Sequence, residues 1–382
     1  MLVRNERYGK MSIYLDNAAT TKLDKAAFES MIPWLLEEYG NASQPYAFAR
    51  KPKKAIADAR ATIAECIGAL PEEIYFTSGG TESDNWAIKG SAFSDPYKRA
   101  TITSSIEHHA VLRTCSAIES MWYPVTYVSP NRSGIITADA LEELITENTR
   151  LVSIMFSNNE IGTIEPIKEL VAIAHKHGAL FHTDAVQAVG HIPINVQDLG
   201  IDMLSASAHK FNGPKGVGFL YIRNGTEIKP LNDGGSQERG LRAGTENIAE
   251  IVGMATALKM NIKHIEENKK YIYSLEQVLL SGIGDLDFIK NGADNHIPGN
   301  ISLSFKNSDG EAILHRMDLM GICISTGSAC DTVNTQISHV IKAIGVPEEY
   351  AAGTIRISLS KDNTKEEAEN IATALVRILG KK

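Results

Sequence analysis

Residues 151–190 read LVSIMFSNNEIGTIEPIKELVAIAHKHGALFHTDAVQAVG, and the order of patterns in this stretch sets the fold class. A β-branched apolar run (LVSIMFS, 151–157) precedes a helical pattern (EPIKELVAIAHKHG, 165–178) and a second apolar run (ALFHT, 179–183). Two strands joined by a crossover helix form a parallel pair. The same alternation extends in both directions. IYFT (74–77), ATITSS (100–105), VTYV (125–128), DMLSAS (202–207) and VGFLYI (217–222) complete a set of seven strands. Such an arrangement predicts an α/β fold around a large, mostly parallel sheet.

From Met260 the pattern changes. A long charged helix, KMNIKHIEENKKYIYSLEQVLL (259–280), leads into NISLSF (300–305), a helix near 310–320, GICIST (321–326), a helix near 337–344, TIRISLS (354–360) and a last helix. These elements predict a smaller α+β domain. At 382 residues the chain is longer than one hydrophobic core usually serves. The expected division is a tail at 1–11, a large domain at 12–259 and a small domain at 260–382.

Composition narrows the function. Apolar residues make up 43% and charged residues 22%, ordinary for a soluble globular protein. A net charge of −8 argues against a nucleic-acid surface. No apolar run approaches the ~20 residues of a membrane span, and MLVRNERYGKMSIYLD has no apolar signal core. The expectation is a cytoplasmic protein with reduced thiols and no direct membrane or nucleic-acid partner. Cys66, Cys115, Cys323 and Cys330 lack the paired spacing of a metal site, so no metal is expected.

Ligands of open α/β sheets bind beyond the carboxyl ends of the strands. After IYFT, Gly79 and Gly80 permit a tight turn and Thr81 with Asp84 matches a capping box. The helix start behind them suits a phosphate, although an ordinary strand-to-helix turn reads the same. After ALFHT stands Asp184, with Gln187 a turn further on; a buried carboxylate there caps a helix or pairs with a cation such as a ring nitrogen. After DMLSAS stands Lys210, in SASAHKFNGPKGVG (205–218), close to an apolar strand for a lysine. Lys215 lies in the turn and reads as a solvated loop lysine. A phosphate cradle, a carboxylate and a lysine at one sheet edge fit pyridoxal 5′-phosphate (PLP), which the lysine holds as a Schiff base.

Three further features join this set. IEHHAV (106–111) brings His108 or His109 near the ring, and spacing does not separate the two. Cys330 ends the small-residue stretch STGSAC (325–330) in a polar, aperiodic loop and reads as a reactive thiol, whereas Cys66 and Cys115 read as inert core. Arg356 alternates with Ile355 and Ile357, so it faces away from the apolar side and suits a carboxylate, a surface salt bridge being the plain alternative.

Together with YLDNAATT (14–21), FTSGGTESDN (76–85), VSIMFSNNEIG (152–162), HTDAVQAVG (182–190) and ERGLRAGTEN (238–247), these motifs resemble those of cysteine desulfurases of the NifS/IscS type. These are class V aminotransferases of PLP fold type I, the aspartate-aminotransferase-like fold. The resemblance runs from about Ser12 to the last helix. It implies that Lys210 carries the cofactor, Asp184 faces the pyridine nitrogen and Gln187 the phenolic oxygen. It implies that His108 stacks on the ring and moves protons. Gly80, Thr81, Ser207 and His209 match phosphate ligands, and Thr245 matches one supplied by the other subunit of a homodimer with shared active sites. Asn159 matches a residue at cofactor and substrate that, with Arg356, holds the substrate carboxylate, and Cys330 matches the nucleophile. The implied reaction converts L-cysteine to L-alanine and leaves a persulfide on Cys330 for a sulfur-acceptor protein in iron–sulfur cluster assembly, tRNA thiolation or a related route. A selenocysteine lyase or another class V PLP enzyme is the alternative. STGSAC resembles the long-loop group, while NASQPYAFA (41–49) and DTVNTQISHV (331–340) depart from the usual family pattern and bear on the identity of the acceptor.

Overall fold

The computed structural model describes residues 12–327 and 337–380. Its larger sheet has seven strands, in spatial order Ile74–Thr77, Gly218–Ile222, Met203–Ser207, Leu180–Asp184, Thr149–Ser153, Ala100–Ser104 and Val125–Val128. Gly218–Ile222 alone runs antiparallel to its neighbours. Apart from the edge strand Val125–Val128, the strands are buried along nearly their whole length, as in a sheet covered on both faces. Period-two alternation puts Phe76, Val152 and Phe219 in one core and Tyr75, Leu151 and Leu220 in another. Helix Arg50–Ile67 covers the first face with Ile56, Ile63 and Ile67, and helices Gly80–Ala92 and His109–Glu119 cover the second with Trp86, Val111 and Ile118. Phe219 is fully buried at this sheet, and truncating such a residue to alanine costs about 3–5 kcal/mol.

A second sheet of three antiparallel strands lies in the order Thr354–Ser358, Asn300–Phe305, Phe288–Asn291. Its separate core holds Ile301, Leu303, Ile355 and Ile357 under helices Ile265–Gly282 and Lys365–Leu379. The strand Phe288–Asn291 escapes sequence reading because it is three half-buried residues followed by a buried Asn291, with no alternation.

Two other expectations need revision. The long helix predicted over 259–280 is two helices, Ile248–Lys263 and Ile265–Gly282, parted at His264 with φ −113° and ψ 16°. The cause is packing: Leu258 belongs to the first core and Ile272, Leu275 and Leu279 to the second, so one straight axis does not serve both. Asn261 reinforces the break by donating to the carbonyl of Phe211 (2.7 Å). The chain's start also crosses the expected division at 260. Ile13–Tyr14 pairs with Ile322–Cys323, and Leu15 lies in the second core.

Candidate active site

Four parallel strands, Ile74–Thr77, Ala100–Ser104, Leu180–Asp184 and Met203–Ser207, end at the same edge of the large sheet. The segments that leave them line one cleft with a volume of ≈ 510 Å³. Leu180–Asp184 and Met203–Ser207 are direct neighbours, with Asp184 opposite Ser205, so Asp184 and Lys210 reach the cleft side by side. The second sheet closes the opposite wall with Arg356.

The cleft collects most of the residues singled out in the sequence. Lys210, Asp184, Gln187 and His108 line it, as do Gly80, Thr81, Ser207 and His209. Asn159 and Arg356 line it from the other side. Thr245 does not: it is exposed, on the loop before helix Ile248–Lys263. Cys330 lies outside the described residues, although Gly327, three positions earlier, lines the cleft. The tail at 1–11 is likewise outside them.

Lys210 donates from Nζ to the carbonyls of Ala18 (2.6 Å) and Ala19 (2.8 Å), and Gln187 Nε2 donates to Ala18 (2.9 Å). The turn after Leu15 therefore seats the ammonium, a role that small residues and bare carbonyls do not announce in sequence. His108 is the N-cap of helix His109–Glu119, its Nδ1 accepting from the Ala110 amide at 3.1 Å. His109 turns away and packs on the ring of His339, with centroids 5.2 Å apart. The geometry thus separates a pair that spacing leaves equivalent. Arg356 is buried rather than at the surface: Nη1 donates to the carbonyl of Asn159 (2.9 Å) and Nη2 to Asp16 Oδ1 (2.8 Å). Its buried Nε has no hydrogen-bond partner among the described residues, so the guanidinium retains donor capacity.

Charge in the cleft follows from burial. Asp184 is raised above the ordinary carboxylate range by desolvation, with His108, the Val186 amide and Lys210 acting in the other direction. Behind it, Asp84 is pushed well up by burial and by the charges of Asp184 and Glu107, and one of its oxygens, 3.7 Å from His182 Nε2, makes no hydrogen bond among the described residues. Burial lowers His108, reinforced by Lys210 and His109 and opposed by Asp184. His209 is lowered to about 4 by burial and by Lys210 and Lys215. The cleft therefore holds neutral imidazoles beside a carboxylate that a cationic ring nitrogen would stabilise.

The predicted capping box is absent. Helix Gly80–Ala92 begins earlier than that pattern requires, with Gly79 as N-cap at φ 146° and no side-chain cap, and Asp84 is drawn into the interior. An uncapped first turn leaves its amides open to an anion. A methyl group on Gly80 would stand 2.6 Å from Val186 Cγ2, so the close approach of the two segments requires glycine. The anion end, buried carboxylate and lysine together fit PLP: Gly80, Thr81, Ser207 and His209 would hold its phosphate, Asp184 its ring nitrogen and Lys210 its aldehyde carbon.

Sequence reasoning missed Glu82 and Arg242. Arg242 grips Glu82 in two hydrogen bonds (2.7 and 3.0 Å), tying the loop that carries Thr245 to the start of the phosphate-site helix. Burial raises Cys66 to about 11 and Cys115 to about 12, and raises Cys323 as well.

The family model for aminotransferase class-V matches residues 13–371. A relative described as cysteine desulfurase IscS, from Dictyoglomus turgidum, is 48% identical over 377 residues, covering 97% of this chain and 95% of its own length. A solved NifS-like protein superposes with a TM-score of 0.91 at 40% identity, covering 97% of this chain and 99% of its own. A structure described as SspA in complex with cysteine gives 0.83 at 40% identity, covering 92% of this chain and 100% of that one. Motifs, fold and cleft agree with these likenesses: the chain belongs to the aminotransferase class-V family and, within it, to the cysteine desulfurases.

Proposed function

We propose that the cleft removes sulfur from L-cysteine with bound PLP and delivers it to Cys330. The observation that carries this reading is the meeting of Lys210, Asp184, His108 and Arg356 in one cleft, with Gly327 on its wall. The family is PLP-dependent, and when bound the cofactor supplies an electron sink for charge developing on the substrate's α-carbon. Arg356 grips the substrate carboxylate as a planar fork, aided by Asn159. Lys210, released from the Ala18 and Ala19 carbonyls, takes the α-proton. His108, kept neutral by burial, accepts the thiol proton of Cys330. The Cys330 thiolate then attacks the substrate sulfur. An S–S bond forms, the carbon–sulfur bond breaks, and its electron pair stays with carbon, which is protonated. The balance is L-cysteine plus protein thiol to L-alanine plus protein persulfide.

The persulfide passes to an acceptor protein in the cytoplasm. A homodimer with shared sites is part of the same proposal. Thr245 is exposed and outside its own cleft, as a residue serving another copy would be. An exposed apolar face with Phe28, Leu35, Leu36 and Tyr39 supports such contact. The two cores support a division near His264, with Ile13–Leu15 belonging to the second unit.

Mass spectrometry of the PLP-loaded protein after a brief exposure to L-cysteine tests the reading. One added sulfur on the Cys330 peptide, matched by alanine, is the expected result. Alanine formed equally well by Cys330→Ser would rule out the thiol route.

A further inference from the structure

The turn Asn158–Glu160 lines the substrate cleft at Asn159 and meets the two described ends that flank Cys330 at Glu160. Asn158 is fully buried and builds the turn: its Oδ1 accepts from the amides of Glu160 (2.8 Å) and Ile161 (3.1 Å), and its Nδ2 donates to the Ile106 carbonyl (2.8 Å). Asn159 faces the cleft, with its carbonyl receiving Arg356. Glu160 faces the other way. It is 4% exposed, and a carboxylate so buried needs hydrogen bonds to offset its lost hydration.

Ser338, two residues into the chain after the undescribed segment, donates from Oγ to Glu160 Oε2 at 2.6 Å. Gly327, the last residue before it, packs so tightly on the same carboxylate that a methyl group at 327 would collide with Oε2. That methyl position would stand only 3.8 Å from Ser338 Cβ. Both ends therefore meet at one oxygen. Each end is also tied to the cleft by a second route. Ser325 exchanges two backbone hydrogen bonds with Arg356 (2.7 and 3.1 Å), and His339 Nε2 lies 3.1 Å from the Glu107 carbonyl, beside His108.

We propose that Glu160 is a positioning residue for sulfur transfer: it clasps the ends at Gly327 and Ser338 against the turn that holds Arg356. The group that grips the substrate and the two points between which Cys330 is carried are thereby registered to one another. Glu160 does not touch the reacting atoms. Its loss shifts the origin of the thiol, and a misplacement of about 1 Å costs on the order of 10²-fold in rate. A side chain at 327 would fit only if the Glu160 carboxylate moved.

The proposal rests on Cys330 being the sulfur acceptor, and its test separates the two claims. Two reactions of the PLP-loaded protein are compared: exchange of the α-proton of L-alanine with solvent deuterium, which has no sulfur to transfer, and sulfide release from L-cysteine with a thiol reductant. In Glu160→Ala and in the milder Ser338→Ala, sulfide release is expected to fall about 10- to 100-fold while alanine exchange stays within about twofold. Glu160→Gln retains an acceptor for the Ser338 hydroxyl and is expected to recover most of the release. Unchanged sulfide release in both truncations, or equal loss of both reactions, would overturn the proposal. Normal release in Cys330→Ser would instead remove the reading on which it stands.

Discussion

The two sheets carry chemistry in different ways. In the seven-stranded sheet the parallel strands deliver His108, Asp184 and Lys210 to a single edge, each within a few residues of a strand end. The antiparallel sheet of three strands sends successive turns to opposite ends, so nothing accumulates, and it supplies Arg356 from mid-strand. Strand direction thus decides where reactive groups converge. The second sheet serves as the wall that grips the substrate.

Lysine at the parallel edge should be the most sensitive position. Lys210→Ala is expected to lower alanine formation from cysteine by roughly 10³-fold or more, measured at saturating PLP. A comparable loss on removing Lys215 instead would break the contrast between strand-end and turn lysines.

The two regions also bury carboxylates differently, with opposite consequences for pH. Glu165, in the large unit, is raised to about 8 by burial, with one oxygen accepting from the Ile136 amide (2.8 Å). Its folded value lies above its unfolded value, so the stability it contributes is present below about 4.5 and is lost as pH rises toward 8. Glu165→Gln removes that loss. Relative to the parent chain, the variant should gain up to about 4 kcal/mol between pH 5 and pH 8, read from denaturant midpoints. Glu276, in the second unit, is fully buried, yet His296 (2.9 Å) and Lys290 (3.1 Å) outweigh desolvation and hold it below its ordinary value. Its contribution is present above about 4.5 and is lost as pH falls through the depressed value. Glu276→Gln should therefore cost about 3 kcal/mol near neutrality, with the deficit shrinking on acidification. Two variants with the same pH slope would contradict the comparison.

The gripping wall should respond in binding more than in turnover. Arg356→Lys keeps the charge but loses the fork held by Asp16 and Asn159. KM for cysteine is expected to rise about 10-fold or somewhat more, with a smaller change in kcat. A fall in kcat at unchanged KM would assign Arg356 to the chemical step instead.

The same contrast explains what sequence reveals. Strands such as Ile74–Thr77, Val125–Val128 and Asn300–Phe305 are legible because apolar runs end at turn residues. Asp184 and Lys210 are legible because a charged residue at or just beyond the end of a buried strand is rare. The break at His264 is not legible, because it depends on which core each half of the helix meets. The Ala18 and Ala19 carbonyls that seat Lys210 come from 192 and 191 residues away in the chain, and the Glu160–Ser338 contact spans 178. No local pattern encodes such meetings. The capping box fails for a related reason: tertiary burial of Asp84 overrides a local motif.

Borohydride reduction of the PLP-loaded protein, followed by peptide mapping, identifies the lysine that holds PLP, because it fixes the cofactor to the amine that carries it. The pyridoxyl group is expected on Lys210 alone, although Lys215 lines the same cleft. A label on Lys215, or spread over several lysines, would contradict this assignment.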